Sequence, residues 1–151
     1  MFYTIGEISE KLMVPASTLR YYDREGLLPF LERSRGGARI FKDEDVEWLF
    51  LINCLKQTGM SIKDIKAFTE MVKIGDETID ARLDLFIKHK AELESKLSQL
   101  QEALEVLKYK CWYYETAKNA GATEYPKKLK AEEVPEEMRK VKLKLEEMRK
   151  I

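Results

Sequence analysis

The chain has 151 residues, room for one compact domain and an extension but not for two full globular units. Its 27 basic and 27 acidic side chains cancel to a formal net charge of zero, so only the distribution of charge can speak about nucleic acid. Two cysteines, Cys54 and Cys111, and one histidine, His89, exclude a disulfide framework or a four-ligand zinc site within one chain.

Thr4-Ile5-Gly6-Glu7 has the spacing of a capping box, and Ile5, Ile8 and Leu12 then share one helical face. After a break at Met13-Val14, Pro15 suits a helix start, while Gly26 and Pro29 suit its end. The two short helices read as a helix-turn-helix. The second carries too few apolar residues for a core element and crowds Arg20, Tyr21, Tyr22 and Arg24 onto an outward face, as a helix meant for DNA does. From Ser17 to Lys42 six cations (Arg20, Arg24, Arg33, Arg35, Arg39, Lys42) stand against three acids (Asp23, Glu25, Glu32). The positive charge is local.

Leu31 to Phe41 alternates charged and apolar residues around Gly36-Gly37, which predicts a small hairpin, a wing. Asp43 is placed to cap a third helix whose residues from Val46 to Leu55 are apolar nearly all round, so that it should be buried between neighbours. Gly59 ends it, and Ser61 opens a fourth helix with Ile62, Ile65, Phe68 and Val72 pointing inward.

Beyond Gly75-Asp76, alternating four- and three-residue steps pick out Ile79, Leu83, Phe86, Lys90, Leu93, Leu97, Leu100, Leu104, Leu107, Cys111 and Tyr114. Such a seam makes a rod of roughly 54 Å. A lone amphipathic rod leaves its seam wet, so a homodimer through it is expected; the alternative is a helix folded back on its own domain. Past Gly121 the composition turns to Lys, Glu and Pro. There Met138, Val141, Leu145 and Met148 line one side of a short helix, or the segment is a solvated tail.

The ordered set Tyr3-Thr4-Ile5-Gly6-Glu7, Thr18-Leu19-Arg20-Tyr21-Tyr22-Asp23, Gly26-Leu27-Leu28, Arg39 and Phe41, Leu55-Lys56 and Gly59-Met60-Ser61 resembles the MerR family of bacterial transcription regulators. Ala38 departs from the pattern where an aromatic is usual, and Pro15 where a serine is usual. The resemblance implies a mainly α fold. A winged helix-turn-helix DNA-binding domain would span residues 1–74, a long dimerisation coiled-coil helix 75–120, and a charged tail 121–151. It also implies a homodimer on a palindromic, double-stranded promoter site, distorting the DNA on a signal so that RNA polymerase engages both promoter elements.

On such a site Ser17, Thr18, Arg20 and Tyr21 would read base edges. Tyr22, Arg24, Arg35, Arg39 and Lys56 would reach sugar and phosphate, with the alternative that one tyrosine of the pair packs in the core. Ile52 to Met60 is similar to the branch of the family that responds to aldehydes and other electrophiles through one cysteine, here Cys54. The other reading of Cys54 is a buried small hydrophobe. No ligand cluster argues for a metal, and no cofactor is expected. One histidine, with no phosphate loop, argues against an enzyme.

The Arg20-Tyr21-Tyr22 group speaks against a coiled-coil interaction protein that lacks regulatory DNA binding. No apolar run reaches the length of a bilayer and no leader pattern opens the chain, so the expected location is the cytoplasm, with no membrane partner.

Overall fold

The computed structural model describes residues 1–149. The order of elements is β1 (Phe2–Tyr3), α1 (Ile5–Leu12), α2 (Ala16–Arg24), β2 (Glu32–Arg33), β3 (Arg39–Lys42), α3 (Asp43–Gln57), α4 (Ile62–Ile74), α5 (Ile79–Ala120), α6 (Glu124–Lys128) and α7 (Glu136–Met148). The protein is mainly helical. It divides into two compact units, from Met1 to Ala91 and from Glu92 onward. Among the described residues no helix is long and apolar enough to cross a membrane.

In the first unit the capping box forms: Glu7 N–H donates to Thr4 Oγ1, and Thr4 N–H to the Glu7 carboxylate. Ile8 is fully buried, with Ile5 and Leu12 packed half-buried beside it. Met13 closes α1 in the left-handed region at φ 52°, a conformation that disfavours side chains, and so turns the chain sharply into α2. The second helix does enter the core, contrary to the expectation from its composition. Leu19 and Tyr22 are both buried, because two side chains three apart suffice to seat a nine-residue helix on one face.

The wing contains one strand more than the hairpin read from the sequence. The order is β1-β3-β2, with Phe2 opposite Lys42 and Glu32 opposite Ile40, both pairings antiparallel. A two-residue strand has no periodicity to announce it. At the hairpin tip Ser34 N–H donates to Ala38 O and Ala38 N–H to Ser34 Oγ, and Gly37 takes φ 81°, which a residue with a Cβ resists.

Asp43 is not the cap of α3. Lys42 is the capping position, and its N–H is accepted by the buried Asp45 carboxylate at 2.8 Å. Burial raises the Asp45 carboxyl above its usual range, opposed by that hydrogen bond. Nor is α3 buried all round: Leu49, Ile52 and Leu55 are, whereas Phe50 and Cys54 are exposed. Four aromatic rings join its other side to its neighbours. Phe30 meets Trp48 edge-on at 6.0 Å, Trp48 stacks on Phe68 at 5.2 Å, and Phe68 meets Phe86 edge-on at 5.1 Å.

In the second unit the tail is a docked helix rather than solvated chain. Tyr109 and Ala117 of α5 are buried together with Val134 and with Val141 and Lys142 of α7. Lys140 pairs with Glu105 and Lys144 with Glu102, each at 3.6 Å. Met138 and Leu145 are half-buried, but Met148 is exposed, since the apolar side runs out before the helix does.

Candidate nucleic-acid interface

The outward face of α2 begins at Pro15, which supplies no side-chain cap. Thr18 N–H and Leu19 N–H both turn back to Pro15 O, at 2.9 and 3.1 Å, and so start the helix. Ser17, Arg20 and Arg24 are exposed, with Thr18 and Tyr21 half-buried between them. Arg24 lies over the Tyr21 ring, 5.8 Å from its centroid, near enough for cation–π attraction. Of the two tyrosines, Tyr22 is the one in the core, with 5 % of its surface exposed. Burial first, and Tyr21 second, raises its phenol above the ordinary value, so it stays neutral. Its place among core residues is the alternative in which one tyrosine of the pair packs inside, since the face of the helix that packs Leu19 also carries the side chain three residues on.

The wing is held to α2 by a residue that sequence reasoning overlooked. Asp23 accepts from Arg39 Nε at 2.7 Å and from Arg33 Nη2 at 2.6 Å, and Arg39 Nη2 also lies 2.6 Å from the same oxygen. One carboxylate thus fixes two of the three arginines of the wing, Arg33 and Arg39, to α2. Arg39, expected only as a phosphate contact, is first of all an anchor, with the other donors of its guanidinium still available. Arg35 at the wing tip and Lys56 on α3 are exposed. The clue in the sequence is a lone aspartate on a basic helix, followed by a ribbon with surplus arginines.

Asp23→Ala should destabilise the chain by about 1–2 kcal/mol, below the sum for two charged hydrogen bonds because the arginines are partly solvated. Urea unfolding measures it. An unchanged midpoint would mean that the wing is positioned by its strands alone.

The family model of MerR HTH family regulatory proteins matches residues 3–71, and the model described as MerR, DNA binding, matches residues 46–109. An uncharacterized HTH-type transcriptional regulator of Haemophilus influenzae is 46% identical over 122 residues, covering 81% of this chain and 90% of its own length. The chain belongs to the MerR family. Among solved structures it is similar to HiNmlR, described as a MerR family regulator lacking the sensor domain and bound to promoter DNA. The TM-score is 0.76 at 45% identity, over 82% of this chain and 98% of that one. A MerR family transcriptional regulator from Bacillus thuringiensis gives a TM-score of 0.68 at 39% identity, over 74% and 97%. These relatives regulate transcription, and the present MerR protein is a DNA-binding transcription regulator and not an enzyme.

Neither cysteine of this MerR chain is buried. The Cys54 thiol is exposed, against the reading of it as a buried small hydrophobe. Cys111 is exposed as well, and among the described residues no three His, Cys, Asp or Glu side chains converge as a metal site. On α5, Phe86 is turned onto Phe68 of its own chain and not into a free seam, which corrects its assignment there; Ile87 is exposed in its stead. Leu83, Leu93, Leu97, Leu100, Leu104 and Leu107 are all exposed.

Proposed function

We propose that the protein binds a palindromic promoter site as a homodimer and distorts the DNA on a signal that modifies the Cys54 thiol, so that RNA polymerase engages the promoter. The observation that carries the DNA-binding part is the exposed row Ser17, Arg20 and Arg24 on a helix anchored from behind by Leu19 and Tyr22. A helix so held presents its side chains to a major groove without reorganising. The bound promoter DNA in the similar HiNmlR structure supports the same reading. Self-association is supported by the leucines left exposed along α5, which water disfavours and a second copy would cover.

For the signal, exposure satisfies one of the two requirements of a reactive thiol, the other being activation to the thiolate. Carbon electrophiles such as aldehydes are the class such a sulfur attacks.

Footprinting on the protein's own upstream DNA, with and without methylglyoxal, tests the proposal. A palindromic footprint whose central base pairs distort only after treatment is expected from the wild type, and treatment should leave the Cys54→Ser footprint unchanged. Induction that survives in Cys54→Ser would end the sensor assignment. On the same DNA, Arg20→Ala should weaken binding by about 1–3 kcal/mol and relax base preference. Unchanged affinity and preference would remove Arg20 from the reading set.

A further inference from the structure

The end of α3 is fastened to α5 by a polar contact one turn beyond Cys54. Thr58, whose backbone is near-helical, donates its N–H to Cys54 O at 3.0 Å and its hydroxyl to Leu55 O at 3.1 Å. With that proton committed, the Thr58 oxygen is left to accept from His89 Nε2, 2.8 Å away on α5, which requires the proton on that nitrogen. His89 continues a face of α5 on which Arg82 donates to Gly75 O at the end of α4 and Phe86 meets Phe68. Residues 82, 86 and 89 recur at helical spacing, and Leu85 and Phe86 also pack against the core cluster, so this side of α5 is attached to α3 by the polar contact at His89 and to α4 and its C-cap by Phe86 and Arg82.

These contacts differ in kind. The Phe86 contact belongs to an aromatic stack and tolerates sliding, whereas the Thr58–His89 bond is directional and fails when its angle or distance changes by a little. Cys54 precedes Thr58 by four residues, so the two side chains are neighbours on one face. A group added to the Cys54 sulfur would occupy space beside the Thr58 hydroxyl.

We infer that the Thr58–His89 hydrogen bond is a latch that holds α3 against α5 in the unmodified protein, and that an adduct on Cys54 opens it. Thr58 and His89 are positioning residues, and the inference rests on the reading of Cys54 as the modified thiol. The latch turns a change at one sulfur into freedom of the DNA-binding unit relative to the helix that follows it.

The test uses the full chain carrying Cys111→Ser and iodoacetamide as the probe. The Cys54 thiolate displaces iodide from carbon, forms a thioether, and leaves its proton with the buffer. Amide hydrogen exchange is then followed in peptides covering residues 82–91. Alkylation should speed exchange there by about threefold or more as local opening becomes easier. Thr58→Val and His89→Ala should show the faster exchange before alkylation and no further rise after it. His89→Gln, which keeps a donor, should respond like the parent, and Cys54→Ser should not respond.

Alkylated Cys54 with unchanged exchange at 82–91, or a Thr58→Val chain that still responds, would overturn the latch. Operator footprints on the same samples separate the two ideas. A latch that opens while the footprint ignores the adduct removes Cys54 as the sensor, and a footprint that changes with the latch closed removes the latch.

Discussion

A chain carrying Leu97→Asp and Leu104→Asp is expected to sediment as a monomer at micromolar concentration and to lose operator binding. Both side chains are about half exposed, at 54% and 50%, so the substitutions leave the packing of the subunit largely as it is. In the proposed dimer each would lie on the seam, and both copies would lose both leucines. At roughly 1.5–3 kcal/mol for fully burying one such side chain, halved for the area already covered, the loss is about 3–6 kcal/mol, or about a hundred- to ten-thousand-fold in the dissociation constant. The desolvation of four carboxylates adds to it. A half-site protein forfeits the second set of base and phosphate contacts, so operator affinity should fall with the dimer. Equilibrium sedimentation reads the first effect, and a persisting dimer would place the interface elsewhere on the chain.

Trp48→Ala should cost about 3–5 kcal/mol of stability, the range for removing a large aromatic from a packed site. Trp48 stands between Phe30 and Phe68 in the aromatic stack, and its indole N–H donates to Leu27 O at 2.6 Å. That carbonyl belongs to the turn after Gly26, so the tryptophan holds the exit of α2 onto α3. Trp48→Phe keeps a ring in the stack and removes the donor, and it should cost about 1–2 kcal/mol, the hydrogen bond plus the unsatisfied carbonyl. Urea unfolding of the two variants separates packing from hydrogen bonding. Equal losses in both would show that the indole N–H and not the stacked ring supplies most of the stabilisation.

Much of this protein was legible from residues close together in the chain. The Thr4–Glu7 box, the turn at Gly26, the wing tip at Gly37 and the unbroken run of α5 depend on contacts within a few residues, and local spacing determines those. The exposed Arg20 and Arg24 were legible for the same reason, because two long cations with little apolar company on a short helix have only solvent to face.

Tertiary structure alone decided which of two adjacent tyrosines went inside, that Phe86 left the seam for Phe68, that Asp23 gathers Arg33 and Arg39, that β1 completes the sheet, and that the Lys- and Glu-rich tail docks as α7. Helical period tells which side chains share a face, but not what that face meets. The partner of a face comes from chain ten to forty residues away, as Asp23 meets Arg33 and Arg39 and Phe2 pairs with Lys42, and no local pattern encodes that distance.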